Sequence, residues 1–466
     1  MSAGPSTFAE RGAAEVGLGK RKAVGDGARH LIERRAAALE TYPAMDAVRD
    51  RSREIRLHTL ANLDTYVAQF ADAVESAGGR VFFAADAGEA NEYVRGVAET
   101  AGANLIVKVK SMVTEEIELN AALEADGRTV VESDLGEFIV QLADDRPSHI
   151  VAPVLHWTRQ DVGHLFADEL GVQYTEEPTE LNQIARTHLR RIFLEADIGI
   201  SGVNFGAAST GTIAIVTNEG NGRLTTTSPR VHVAVMGMER IVPTLEDVGV
   251  MLEVLGRSAT GQSLTTYTNF VTGPRRPEDP DGPDELHVVI VDNGRLNVLN
   301  DDVSEVLACI RCGACLNVCP VYRAVGGHAY GDIYPGPVGA VLSPVLFGFE
   351  GREQLPYACT LCGACLEVCP PRIDLPRLLV NLRERVADEG DAFSWLGPAM
   401  KAYGFTATRP VVWRGAIGGA SLAGKATRGG WFTRLPGPGG AWTAVRDLPA
   451  PSRQSFRHWW RKHHGA

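Results

Sequence analysis

The sequence predicts a layered α/β domain with a largely parallel sheet, a helical arm ahead of it and a small cysteine-bearing domain behind it. Three observations predict this. Between residues 80 and 153, short apolar runs alternate with segments of helical period. Between Ala196 and Val242, Gly and small hydroxylated residues interleave with β-rich runs. All eight cysteines lie between positions 309 and 369, in two copies of one pattern.

The arm, residues 1–69, reads as helical and exposed. Residues 19–37 are rich in Lys, Arg and Ala, and Leu60, Leu63, Val67, Phe70 and Val74 recur at three or four positions. The α/β domain, residues 70–296, alternates next. Strands are expected at Arg80–Ala84, Asn104–Lys110, Thr129–Glu132 and His149–Pro153, and helices at Ala87–Ala101, Thr114–Leu123 and Glu137–Leu142. Further strands are expected at Thr212–Thr217, Arg230–Met236 and His287–Val291, with the Pro- and Asp-rich stretch Gly273–Glu285 as a surface loop. The cysteine domain, residues 297–388, ends in a helical stretch from Leu375 to Asp388. The extension, residues 389–466, is rich in Gly, Pro and Trp and is expected to be irregular.

The chain of 466 residues is long enough for roughly three folded units. Hydrophobic residues make up 44% and charged residues 22%, which excludes wholesale disorder and fibrous classes. A net charge of −11 disfavours nucleic acid as a partner. No apolar run approaches the ~18 residues of a membrane span. The N-terminus lacks the apolar core of a secretory signal, so the cytoplasm is the expected compartment.

Clustered thiols in a reducing compartment point to metal or redox chemistry rather than to disulfides. Residues 308–320 read ACIRCGACLNVCP and residues 358–370 read ACTLCGACLEVCP, ten of 13 positions being identical. Each copy is C-x2-C-x2-C-x3-C-P. A cubane iron–sulfur cluster has four iron corners, each needing one thiolate. Three cysteines two residues apart wrap three corners, and in two-cluster ferredoxins the fourth serves the other cluster. The expected sets are Cys309, Cys312, Cys315 with Cys369, and Cys359, Cys362, Cys365 with Cys319, holding two [4Fe–4S] clusters. Gly313 and Gly363 would let backbone N–H groups approach the clusters, and Pro320 and Pro370 would turn the chain away. Zinc is the competing reading, but zinc sites of four thiolates use two separated C-x2-C pairs. The 39 residues between Cys319 and Cys359 suit a helical ferredoxin better than the compact β-hairpin type. Two such clusters relay single electrons and cannot accept a hydride. No G-x-G-x-x-G follows a strand, so no dinucleotide site is supported.

In the Gly- and Thr-rich segment, Ser209–Thr212 and Thr217–Arg223 combine hydroxyls with Gly N–H groups, which can cradle an anion. Plain turn chemistry is the competing reading, since Asn-Gly favours hairpins. Glu132, Asp134 and Glu137, with Lys108 and Lys110, read as a solvated rim, with a carboxylate-plus-lysine site as the competing reading, and His149, His156 and His164 read as structural histidines.

The segments KVKSMVTEEIELN (108–120), ESDLGEFIVQL (132–142), SHIVAPVLH (148–156) and STGTIAIVTNEGNGR (209–223), joined to the two cysteine motifs, resemble the lactate utilization protein B family. The resemblance covers about residues 60–390, and the extension is similar to the family's trailing region. It implies a LUD domain related in fold to the sugar-isomerase and CoA-transferase group, followed by the two-cluster domain. It implies an iron–sulfur subunit of a bacterial system oxidising L-lactate to pyruvate, with two partners: a cysteine-rich-domain iron–sulfur subunit and a small LUD-domain protein. The eight cluster cysteines carry over without a gap. No catalytic residue carries over, and Thr210, Gly211, Thr212, Asn218 and Glu219 stand as substrate-binding candidates by their chemistry.

On this reading electrons pass through the clusters to an acceptor such as the quinone pool. The alternative is a transferase- or isomerase-like LUD enzyme whose clusters are structural or regulatory. A redox-sensing scaffold is a third reading, without a DNA-binding motif to favour it. The basic, Trp-rich end SFRHWWRKHHGA suits contact with an anionic membrane surface, against the plainer reading that Trp459 and Trp460 pack on the protein itself.

Overall fold

Short apolar runs build two sheets in the computed structural model, which describes residues 7–465 apart from 18, 390–395, 426, 428, 444–445 and 453. The described residues fall into two units, one reaching Val386 and one starting at Ala387. In the first unit the strands are β1 (Arg80–Ala84), β2 (Leu105–Lys108), β3 (Thr129–Glu132), β4 (Ile198–Gly202), β5 (Phe205–Ala207), β6 (Thr212–Thr217), β7 (Val231–Gly237), β8 (Ile241–Val242), β9 (Tyr267–Val271) and β10 (Glu285–Val291). The larger sheet has the order β1-β10-β7-β4-β2-β3, and every pairing in it is parallel. The smaller has the order β8-β5-β6-β9, with β6 antiparallel to both neighbours.

Both faces of the parallel sheet are covered, as its apolar strands require. Val233, Val235, Val289 and Val291 face the helix Ala87–Thr100. Their chain neighbours Ala234, Met236, Val288 and Ile290 face the opposite side, against Phe70, Val74 and strand β6. This two-residue alternation fixes the register, because a slip of one residue would exchange the two faces.

Several expected elements differ. The helix expected over Thr114–Leu123 is two short helices, Met112–Glu116 and Leu119–Glu124, broken where Glu118 takes a left-handed conformation (φ 53°). No strand forms at His149–Pro153. There the His149 ring accepts the N–H groups of Val151 and Ala152, each at 3.0 Å, so the chain turns back on itself. Strands β4 and β5 are additional, their β-character hidden by Gly199, Gly202 and Gly206. The stretch Gly273–Glu285 is a largely exposed loop up to the start of β10.

The arm is helical but not simply exposed. Its helices are α1 (Phe8–Gly17), α2 (Arg21–Glu40), α3 (Met45–Ala61) and α4 (Leu63–Ser76). Arg49, Arg53 and Arg56 recur on one face of α3. Arg49 donates to the carbonyls of Glu367 (2.7 Å) and Cys369 (2.8 Å), and Arg53 to those of Pro371 (3.0 Å) and Arg372 (2.7 Å). Arg56, fully buried, donates to Leu307 (2.9 Å), Ala308 (3.3 Å) and Ile241 (3.1 Å). Loops without a ladder leave buried carbonyls wanting donors, and these guanidinium forks supply them. Composition alone assigns such arginines to solvent.

In the cysteine region, the helices Ala314–Val318, Pro320–Val325, Gly336–Phe347, Ala364–Val368 and Leu375–Glu389 surround a core containing Leu316, Tyr322, Tyr330, Leu342 and Leu378.

The second unit is more regular than expected. It contains helices at Leu396–Ala407, Pro410–Lys425, Pro438–Thr443 and Phe456–His464, and the antiparallel pair Trp431–Phe432 with Leu448–Pro449. Pro410 and Pro438 each open a helix, a position where the missing N–H costs nothing. Among the described residues no helix is long and apolar enough to cross a membrane.

Candidate functional site

The two cysteine loops share one backbone path. Arg311 (φ 59°) and Leu361 (φ 54°) occupy the same place in their copies, both left-handed although neither is glycine. Gly313 (φ 73°) and Gly363 (φ 83°) follow, each opening a short helix. A left-handed non-glycine residue costs about 1–2 kcal/mol, and strain repeated in both copies marks a functional loop. The strain turns N–H groups toward sulfur. Arg311 donates to Cys309 Sγ at 3.4 Å and Leu361 to Cys359 Sγ at 3.2 Å. The fourth cysteines repeat the pattern, with Tyr322 donating to Cys319 Sγ (3.5 Å) and Ile373 to Cys369 Sγ (3.4 Å). Pro320 begins a helix directly, rather than only ending the loop.

The copies exchange their fourth cysteines. Cys309, Cys312, Cys315 and Cys369 line one small pocket, closed by Ile150, Ile310 and Val338. Cys319 lies within electrostatic reach of Cys359, Cys362 and Cys365. Burial pushes the thiols of Cys312 and Cys365 up to about 12, and those of Cys315, Cys319 and Cys369 up as well. Thiols this buried shed their protons when a cation replaces them. Two sets of four soft sulfurs, each supplied with N–H donors, fit an iron–sulfur group. The sets differ in exposure: Cys312, Cys315 and Cys369 are buried, while Cys362 is exposed and Cys359 half-buried.

A second feature lies at the carboxyl ends of β2, β3, β4 and β7, where parallel sheets characteristically hold ligands. A cavity of about 430 Å³ opens there, lined among others by Lys110, Asp134, Glu219, Glu239, Arg240 and Arg311. One pole is cationic. Arg311 comes from the loop between Cys309 and Cys312, and Arg240 donates to the Cys309 carbonyl at 3.4 Å. Arg295 is buried against Glu116 and Glu239. Burial alone would raise the Glu239 carboxyl, but Arg295 and its neighbours hold it down to about 2. The other pole is carboxylate-rich. Lys110 pairs with Glu137 and lies 3.8 Å from Glu115. Burial pushes Glu115 up to about 7, and burial together with the charge of Asp134 does the same to Glu219. Asp134 also caps the helix Leu135–Leu142.

These groups are not the solvated rim expected. Lys108 and Glu132 are 1% and 5% exposed and pair at 2.7 Å, and Glu137 is 4% exposed. The ends of two neighbouring parallel strands, β2 and β3, carry them inward together.

The family described as LUD domain matches residues 67–291, the 4Fe-4S dicluster domain residues 305–373, and the C-terminal region of lactate utilisation protein B residues 389–465. Lactate utilization protein B of Bacillus licheniformis is 49% identical over 442 residues, spanning 94% of this chain and 93% of its own. That of Bacillus pumilus is 48% identical over 470 residues, spanning 99% and 98%. The chain belongs to the lactate utilization protein B family. The Bacillus subtilis member is 47% identical over 442 residues, spanning 94% of this chain and 92% of its own. A solved chain, a DUF162 family protein from Deinococcus radiodurans, is similar over 49% of this chain and 98% of its own at 16% identity, with a TM-score of 0.27, too remote to carry an argument.

In this lactate utilization protein B family member, the substrate-binding candidates separate. Glu219 and Asn218 line the cavity. Asn218 is held there, accepting from Gln262 (3.0 Å) and Thr266 (3.1 Å). Thr210, Gly211 and Thr212 are not among the lining residues. Thr212 bonds Thr210 (2.8 Å) and Thr272 (2.7 Å), and a Cβ on Gly211 (φ 66°) would lie 2.5 Å from the Val74 nitrogen, so this turn packs on α4. Asn221–Gly222 starts a helix, Asn221–Thr227, rather than a hairpin. Of the histidines, His149 Nδ1 accepts two N–H groups, so Nε2 carries the proton and donates to Asn317 at 3.0 Å, tying the α/β domain to the helix after Gly313. His156 bonds Ser148 (2.6 Å) and Asp145 (2.9 Å). Sequence reasoning missed Arg240, Arg295 and Arg311. The signal for Arg311 was its place inside a cysteine loop, where a bulky cation is not required by cluster geometry.

Proposed function

We propose that this chain is the iron–sulfur electron-transfer subunit of a system oxidising L-lactate to pyruvate. The observation that carries the reading is the exchange of fourth cysteines between two loops of identical backbone path. On it, Cys309, Cys312, Cys315 and Cys369 hold one [4Fe–4S] cluster, and Cys359, Cys362, Cys365 and Cys319 the second, in a helical ferredoxin arrangement. When bound, each cluster supplies storage for one electron, so the pair matches the two electrons released per lactate.

The chain's own residues have separable tasks. The N–H groups of Arg311, Leu361, Tyr322 and Ile373 stabilise negative charge on sulfur. Ile150, Ile310 and Val338 keep water from the inner set. The exposed Cys362 puts the outer set where a partner can approach within electron-transfer range. The partners in this reading are a cysteine-rich-domain iron–sulfur subunit and a small LUD-domain protein, with a quinone as eventual acceptor. The last helix, Phe456–His464, with Phe456, Trp459 and Trp460 exposed among Arg457, Arg461 and Lys462, would rest on the inner face of the membrane.

The test is anaerobic purification with both partners, followed by visible and EPR spectra before and after L-lactate. The reading expects about eight iron atoms per chain and bleaching of the visible bands by lactate. Colourless, iron-free protein after reconstitution overturns it, as does iron-replete protein that lactate leaves oxidised with both partners present.

A further inference from the structure

We propose that the cavity at the carboxyl edge of the parallel sheet is a binding site for a short monocarboxylate, whose carboxylate group seats against Arg240 and Arg311 on the loop carrying Cys309 and Cys312. The choice of a 2-hydroxy or 2-oxo acid as ligand rests on the lactate reading above; the anion site itself rests on geometry and charge.

The charge is unequal at the end of the cavity beside the cysteine loop. Arg240, Arg295 and Arg311 converge there on two carboxylates, Glu116 and Glu239, while Arg56 donates to the backbone carbonyls of Glu239, Ile241, Leu307 and Ala308. Arg295 occupies Glu116 with two hydrogen bonds and Glu239 Oε2 with a third at 2.6 Å. The remaining oxygen, Glu239 Oε1, lies 3.9 Å from Arg240 Nε and 3.6 Å from Arg311 Nη2, beyond hydrogen-bond length for both. Arg311 is 7% exposed, and its buried Nη1 has no hydrogen-bond partner among the described residues. A buried cation held by a long ion pair with Glu239 and by the face of the Tyr334 ring keeps hydrogen-bonding capacity unspent, and a planar carboxylate is the natural complement of a guanidinium fork.

The other pole sets the class of ligand. Asp134 and Glu219 line it and the Lys110 ammonium there is already paired with Glu137, so a second anionic group meets acidic side chains and no open cation, which disfavours dicarboxylates and phosphate esters. A hydroxyl or oxo oxygen meets Lys110 or a protonated carboxyl there without penalty. Arg311 thus borders both the cavity and the pocket lined by Cys309, Cys312, Cys315 and Cys369, so a bound ligand lies one side chain away from the inner sulfur set.

The test is isothermal titration of the iron-replete, full-length chain, anaerobically, with L-lactate and with pyruvate, and in parallel with L-malate and inorganic phosphate. Saturable heat with lactate or pyruvate is expected, with malate and phosphate at least tenfold weaker. Arg311→Gln and Arg240→Gln should each weaken binding at least tenfold, and Arg311→Lys should restore part of it. Thr265→Trp, at the cavity wall away from the cysteines, should abolish binding while iron content and visible spectrum stay unchanged, which covers the case in which an arginine variant assembles poorly. Thr210→Val, outside the cavity, should bind as wild type. The proposal fails if iron-replete protein gives no saturable heat with either acid, if malate or phosphate binds as well, or if Thr265→Trp binds normally. It also fails if the arginine variants shift only the midpoint potential of the clusters and leave the heat unchanged, because the cations then serve the iron–sulfur charge alone. Lactate that binds but never reduces the clusters counts against the electron-transfer reading and not against this site.

Discussion

Arg295 holds Glu116 in a two-pronged grip, Nη1 to Oε1 at 2.8 Å and Nη2 to Oε2 at 2.9 Å, with both side chains withdrawn from water. Burial works against the Glu116 carboxylate, but the guanidinium outweighs it and holds the carboxyl below its usual range. The hydroxyl of Tyr334, from the cysteine region, and the amide of Asn293 complete the set. One pair therefore joins the end of β2's following helix, the end of the α/β domain and the domain behind it.

Glu116→Ala should cost about 3–5 kcal/mol, because it strands Arg295 as a buried, half-paired cation. The double variant Glu116→Met with Arg295→Met should cost less than the single substitution. Urea titration of the three proteins checks this. Additive losses would show that the two side chains act separately.

Iron content can test the exchange of fourth cysteines. Cys369→Ser combined with Cys312→Ser should remove one cluster and leave about half the iron. Cys369→Ser combined with Cys362→Ser should remove both. The reverse result would mean that each motif ligates within itself.

Arg49→Met should loosen the loop around the last cysteine, since Arg49 alone bridges the Glu367 and Cys369 carbonyls from α3. Leaving two buried carbonyls short of a donor costs about 1–3 kcal/mol. The expected readout is faster bleaching of the visible absorbance in air, with the starting spectrum preserved.

The stability that Glu219 contributes should decline as pH rises from about 5 to about 8. Glu219 is pushed up to about 7, so the folded chain keeps a proton that the unfolded chain has lost over that interval. The stabilisation is complete below the ordinary Glu value and disappears as pH passes through 7. Glu219→Gln should remove this falling component from the slope of melting temperature against pH, Glu115 adding another of the same sign and the buried His149 and His232 one of the opposite sign. Parallel slopes for the two proteins would remove Glu219 as a cause.

A chain ending at Pro451 should lose flotation with anionic vesicles that the full-length chain shows. Equal flotation, or none by either, would leave the aromatic helix Phe456–His464 without a membrane role.

The sheet strands that sequence reasoning located are those with continuous β-branched runs, such as His287–Val291. Four escaped it, Ile198–Gly202, Phe205–Ala207, Ile241–Val242 and Tyr267–Val271; the first two carry glycine where a neighbouring chain presses close, and a Cβ on Gly199 would lie 1.8 Å from the Thr225 carbonyl oxygen. The sulfur sets are legible because thiolate spacing is imposed by the bound group, a local constraint written in consecutive residues. The cavity is not, because Lys110, Asp134, Glu219, Arg240 and Arg311 come from five separate segments: three follow strands of the parallel sheet, one follows β6 of the smaller sheet and one lies in the cysteine region. Charged residues there resemble a surface rim by composition, and their burial depends on pairings such as Lys108 with Glu132 that no single segment contains.

The reciprocal placement of Cys319 and Cys369 has a consequence during synthesis. While the ribosome is still reading the segment between the two copies, Cys309, Cys312, Cys315 and Cys319 are present without Cys369, and the downstream loop does not yet exist. A message cut short there would yield a product lacking Cys369 from the inner set and Cys359, Cys362 and Cys365 from the outer one. With this reciprocal pairing the outer set of four is complete only once translation has passed Cys365, and the inner one only once it has passed Cys369, the last of the eight positions.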